Sequence, residues 1–339
     1  TNLQAGILEV GNASALGTGT ISLSGGTLDN SSGAAMTLTN AVTLGGAWAF
    51  TGTDELTLSG VKTSFSLPTI AVNNGVLHLP GTISGDYGLI KNGDGTLNIS
   101  GTITSGATNA IGVISMADGV ANLTGTLQST GAEIWIGNGA GNANTFTMGA
   151  GASVNATNWL AIGRDSANGT FDMTGGTVTK TTANGNITTA GVGGAQTGII
   201  NQSGGLITNV ASQTWIGEHG TGIYNISGTA TTDLGILNVG VQNVITANGS
   251  VNLNGGTLTV KQIVKGGAAA SGTINFNGGT LKANTAATGA TFLQGLTAAN
   301  VRDGGAIIDT NSQDITIAQT LQHSVLGGDA AVDGGLTKN

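Results

Sequence analysis

The sequence predicts a right-handed parallel β-helix of about 25 residues per coil, on three observations: a glycine excess, period-two alternation and a recurring block. The chain has 339 residues, of which 61 are glycine and only two are proline; charged residues make up 8% and aromatics 4%, against an ordinary 39% of hydrophobic residues. Collagen is excluded, because glycine falls well short of one in three and keeps no three-residue register. A disordered chain is excluded by the apolar content and the scarcity of charge. A helical domain is excluded because each interior glycine costs a helix about 1 kcal/mol relative to alanine. Short strands joined by tight turns remain.

The block occupies residues 145–154, 170–179, 199–208, 223–232, 250–259 and 273–282, with an N-terminal copy at 20–29. A second element precedes most copies: Ile134 to Gly137, Leu160 to Gly163, Ala190 to Gly193, Thr214 to Gly217 and Leu237 to Gly240. Each repeat therefore holds about three short alternating segments separated by glycine or Asn-Gly turns. One such unit cannot bury its apolar side alone, but copies stacked as parallel strands about 4.8 Å apart can. The whole chain then makes about 13 coils and a rod on the order of 60 Å long.

The columns of such a stack follow from the block. The first inward column is expected to hold Phe146, Phe171, Ile200, Tyr224, Val251 and Ile274, and the second Met148, Met173, Gln202, Ile226, Leu253 and Phe276. A third, after the turn, is expected to hold Ser153, Val178, Ile207, Thr231, Leu258 and Leu281. Thr147, Asp172, Asn201, Asn225, Asn252 and Asn275 lie between the first two and are expected to form an outward polar ladder. Gln202 is the exception inside, and a buried amide there needs hydrogen-bond partners within the coil. Residues 1–130 read as irregular repeats, 131–285 as regular coils and 286–339 as variant coils. The last part is expected to carry a short helix over 292–302 with Thr297 as its N-cap. No linker composition separates these parts, so the reading is one continuous segment over residues 1–339.

A formal net charge of −8 and nine scattered basic residues argue against nucleic acid and against an anionic membrane surface. No apolar run is long enough to span a bilayer as a helix. With no cysteine, disulfide scaffolds and thiolate metal sites are excluded.

Leu89, Lys91, Gly93, Gly95, Thr96, Leu97, Ser100 and Gly101 give the pattern L-x-K-x-G-x-G-T-L-x-x-S-G. This stretch resembles the autotransporter-associated β-strand repeat of bacterial proteins. Residues 3–20 resemble the latter part of such a unit, and residues 333–339 the beginning of the next. The resemblance implies a β-helical segment of a large secreted or surface-displayed protein, acting as stalk, adhesin, extracellular matrix element or filament. It also leads to the expectation that the chain is a stretch of a longer protein, whose partners are neighbouring repeats or head-to-tail copies.

Parallel β-helices also carry polysaccharide enzymes, which need converging carboxylates. The 17 acidic residues are mostly single along the sequence and read as solvated turn and face residues. His78, His219 and His323 lie in different regions without metal-ligand spacing. Glu218 and His219 form the most polar pair and read as an exposed turn. No cofactor motif is present: Gly191 to Gly194 lacks the lysine and the strand-to-helix setting of a phosphate loop. Trp135 and Trp215 occupy one column, interrupted by Gly191, and both are expected to point outward with Trp159 beside them. They are the candidate ligand-binding residues, either stacking sugar rings or packing on one another. The reading is a non-enzymatic extracellular element with possible affinity for surface polysaccharide; the alternative is a carbohydrate-binding or polysaccharide-cleaving β-helix. Carboxylates converging beside the tryptophans would favour the alternative.

Overall fold

Residues 143–173 trace one full turn of the chain. Ala143–Met148 forms a first face, Ser153–Ala156 a second and Leu160–Arg164 a third, after which Asn168–Met173 returns to lie parallel on Ala143–Met148. The computed structural model describes residues 1–106, 112–289 and 291–339. Among them the first face holds thirteen strands, from Met36–Leu38 to Gln322–His323. The protein is a parallel β-solenoid of about 13 turns with about 24 residues per coil.

The inward columns are those of the block. Phe146, Phe171, Ile200, Tyr224, Val251 and Ile274 stack in register, as do Met148, Met173, Gln202, Ile226, Leu253 and Phe276. Phe146 and Phe171 meet with ring centroids 5.5 Å apart. Each fully buried side chain of this size contributes roughly 1.5–3 kcal/mol, so a coil gains its stability from the coils above and below it. The third column differs at two positions: Val154 and Thr232, not Ser153 and Thr231, stand in register with Val178 and Leu258. The turns at 149–152 and 227–230 are one residue longer than that at 174–176, which shifts the inward parity by one.

Gln202 has its full set of partners. Its Oε1 accepts from Tyr224 Oη at 2.6 Å and Thr232 Oγ1 at 2.8 Å, and its Nε2 donates to the carbonyls of Thr231 and Gly205. Outside, the polar ladder is an amide spine. Asn201 donates to Asp172, Asn225 to Asn201, Asn252 to Asn225 and Asn300 to Asn275, each at 2.7 Å, and Asn275 donates to Asn252 at 2.6 Å. Gln322 extends it at one end, and a separate run of Thr147, Asn122, Asn98 and His78 occupies the coils before Asp172.

Two glycine columns make the corner between the third and first faces. Gly169, Gly198, Gly222, Gly249 and Gly272 align, and a Cβ on any of them would come within 2.3 Å of a backbone atom across the corner. Facing them, Gly137, Gly163, Gly217 and Gly240 have φ between 70° and 75°. Ala190 stands in this second column at φ 52°.

Two further expectations are corrected. The helix over 292–302 is absent: Thr291–Gln294 and Ala298–Val301 are strands, and Thr297 Oγ1 accepts from the Gly272 amide rather than capping a helix. Pairing with Ser271–Phe276, which lets Asn300 join the amide spine, outweighs the local alanine-rich propensity. A single 3-10 turn at Thr285–Ala287 is the helical element there. The N-terminal copy also sits one face further round. Ile21–Leu23 pairs with Val42–Leu44 on the second face, so its Gly-Gly turn serves the corner between the second and third faces.

Candidate functional site

The third face carries the three candidate tryptophans. Its strands Glu133–Asn138, Leu160–Arg164, Ile187–Thr189 and the end of Leu206–Ile216 lie in successive coils. Because side chains alternate, Trp135, Ala161, Thr188 and Trp215 form one outward column. Thr188 therefore stands between the tryptophans, not Gly191. The strand of that coil is Ile187–Thr189, three residues earlier than a glycine-based alignment places it.

Trp159 lies two residues before Ala161 on the same outward side. Its ring meets Trp215 edge-on, with centroids 5.4 Å apart and an interplanar angle of 67°. Trp215 Nε1 donates to Gln213 Oε1 at 2.8 Å, which also accepts from Asn238. Trp135 is held differently. Its Nε1 donates to Glu133 Oε2 at 2.6 Å, and the Arg164 guanidinium lies 4.8 Å above its ring. Arg164 Nη1 reaches the same Glu133 oxygen at 3.1 Å. All three rings are half-buried, and each keeps one surface toward solvent. Trp48, the fourth, is a core residue.

Beside Trp159 is a cleft of about 200 Å³ lined by Glu133, Trp159, Ala161, Arg164, Thr188, Gly191, Val192 and Glu218. Glu218 is 7% exposed, the reverse of the exposed turn its sequence position suggests. Its Oε2 accepts from Thr188 Oγ1 at 2.7 Å, while Oε1 has His219 Nδ1 at 3.6 Å, beyond hydrogen-bond reach. Arg164 Nε is buried without a hydrogen-bond partner. The rim is braced by the backbone: Asp165 N donates to Val192 O at 2.7 Å, and Gln196 Nε2 donates to the carbonyls of Gly191 and Val192. Asp165, Ser166 and Ala190, three of the five non-glycine residues with positive φ among those described, all border this cleft.

A depression of about 370 Å³ beside Glu133 and Trp135 lies on one side, and another of about 400 Å³ beside Gln213, Trp215 and Lys261 on the other. The three hollows follow one another along the rod axis from Val113 to Lys261. Sequence reasoning found the tryptophans and missed Glu133, Arg164, Thr188 and Glu218. They come from four different coils, and only the coil register brings them together.

The remaining histidines stand apart. His78 meets Glu55, and His323 Nδ1 lies 3.1 Å from Asp333. Among the described residues no group of three or more His, Cys, Asp or Glu is placed to hold a metal ion, and no helix is long and apolar enough to cross a membrane. The fold and site together define a parallel β-solenoid with a tryptophan-walled groove on its third face. Comparison with known protein families, characterised proteins and solved structures finds no match.

Proposed function

We propose that the chain is a non-enzymatic extracellular element, a stiff stalk or adhesin segment displayed at a bacterial cell surface. The observation that carries this reading is the coil-on-coil pairing among the described residues, with two external runs of side-chain hydrogen bonds on the first face, His78 to Thr147 and Asp172 to Gln322. The polar side chains of that face are engaged in holding one coil to the next, which suits a mechanical role. The resemblance of residues 89–101 to autotransporter-associated repeats supports the location. Neighbouring repeats and head-to-tail copies are its partners in this reading. Antibodies raised against the purified rod are expected to label intact cells that make the protein, and protease shaving is expected to remove that label. Labelling that appears only after permeabilisation would contradict the location.

A second reading, in which the rod also binds polysaccharide, is supported by the tryptophan groove. Glu133 accepts from both Trp135 and Arg164 through one oxygen, Oε2, which holds its side chain at the groove wall.

A further inference from the structure

We infer that the cleft between Trp159, Arg164 and Glu218 is a subsite for one neutral hexopyranose residue of a polysaccharide lying along the rod. The inference rests on the polysaccharide-binding reading and specifies where the chain is gripped and which sugar chemistry fits.

Size gives the first argument. A volume of about 200 Å³ is below the ~300–1,000 Å³ of a pocket that encloses a whole small ligand. It suits a single ring whose neighbours continue outside. The hollows on either side, one reached through Glu133 and the other across the Trp159–Trp215 pair, supply that continuation along the axis. Glu133 and Glu218 belong to coils three steps apart, about 14 Å along the rod. Both side chains line the cleft.

Chemistry gives the second argument. Trp159 offers an aromatic wall for the C–H face of a sugar, and the polar groups around it match hydroxyls. Glu218 Oε1 and the carboxylate of Glu133 are acceptors for hydroxyl donors, and Arg164 and Thr188 are donors for ring or hydroxyl oxygens. Glu218, nine-tenths buried, uses Oε2 on Thr188 and has only His219 Nδ1, at 3.6 Å, near Oε1; Arg164 Nε is buried without a hydrogen bond, with Asp165 Oδ2 3.6 Å away. Glu218 Oε1 is therefore open to a hydroxyl donor, the pairing that buried polar atoms ordinarily have. Charge selects the class. The Glu133 and Glu218 carboxylates line the cleft against the Arg164 guanidinium, with Asp165 3.6 Å from Arg164 Nε and the His219 imidazole 3.6 Å from Glu218, so a uronate residue meets net repulsion whereas an uncharged hexose does not. The braced rim keeps the groups in place before the sugar arrives, which lowers the ordering cost of binding.

The test is binding of the 339-residue chain to soluble neutral glucan and mannan oligosaccharides, with oligogalacturonate as the acidic probe, by calorimetry. The wild type is expected to bind a neutral probe more tightly than oligogalacturonate. Trp159→Ala and Glu218→Gln are each expected to weaken it by at least about tenfold. Asn98→Ala, on the first face, is expected to leave affinity unchanged, and melting curves of all variants report whether the fold is kept. Where Trp159→Ala fails to fold, Arg164→Lys, which keeps the charge and loses the fork, replaces it. No binding to any probe by a folded wild type overturns both the polysaccharide reading and the subsite. Binding that survives Trp159→Ala and Glu218→Gln overturns the subsite alone. Tighter binding of oligogalacturonate overturns the sugar class.

Discussion

Lys91 occupies an inward position, in register between Ile70 and Met116, and is buried completely. Its ammonium turns toward the corner carbonyls and donates to Gly93 O and, at 2.6 Å, to Asp118 O. Lys62 and Lys180 are buried in the same manner, with Nζ on the carbonyls of Leu58 and Gly60, and of Thr182 and Asn184. Burial pushes the Lys91 ammonium down to about 8, with Asp118 and Asp94 opposing the shift. Lys62 and Lys180 move in the same direction for the same reason. Between pH 8 and 10 the unfolded chain holds the Lys91 proton and the folded chain releases it, so stability rises with pH across that window. Above pH 10 burial of the Tyr224 phenol acts the other way, because its folded pKa is raised and stability falls as the unfolded tyrosine ionises. Denaturant melts at pH 8 and 10 are expected to show a gain that shrinks by about 2 kcal/mol in Lys91→Met. An unchanged pH slope in the variant would contradict a buried, proton-losing lysine.

At the scale of the element, the corner between the third and first faces decides the shape of a coil. Its glycines are required twice over, by positive φ in one column and by a backbone contact in the other. Ala190 breaks the rule, since its Cβ in the left-handed region costs about 1–2 kcal/mol. Ala190→Gly is expected to stabilise the protein by about 1 kcal/mol, after the entropy cost of glycine, in a denaturant midpoint. A lower midpoint would mean that the alanine methyl packs well enough to offset its strain. This corner also shows what the sequence makes legible. Regular glycine spacing and alternation are local signals, and they locate the first-face strands and two inward columns to the residue. Turn length is not a local signal, so Val154 and Thr232 are misassigned by one residue. The same weakness slides Ile187–Thr189 by three, because Ala190 stands where glycine marks the corner elsewhere. The strands at 291–301 lack the glycine pattern, and their composition suggests a helix until Asn300 is seen on the spine. The cleft is the least legible feature. Glu133, Trp159, Thr188 and Glu218 carry no shared motif, and each is unremarkable in its own coil.

At the scale of the whole molecule, each coil touches only its neighbours, and residues far apart in the chain become a surface through accumulated register. Composition follows from that arrangement. One outward column of the first face is largely amides that bond to one another, so a rod on the order of 60 Å needs few charges to present a polar face. The three hollows follow one another along the same axis. Rod, spine and groove all depend on one coil lying in register on the next. The chain has no cysteine, so a designed pair reports on that register without interference. Thr208 and Asp233 are register partners on the second face, and parallel partners about 4.8 Å apart fall within the ~4.4–6.8 Å range of Cα separations a disulfide bridges. Thr208→Cys with Asp233→Cys is expected to form an intramolecular disulfide on mild oxidation, resolved by mass spectrometry. Thr208→Cys with Thr231→Cys, two residues out of register and about 8 Å apart, is expected to stay reduced. Equal bridging by both pairs, or bridging by the offset pair alone, would contradict the coil register on which the groove depends.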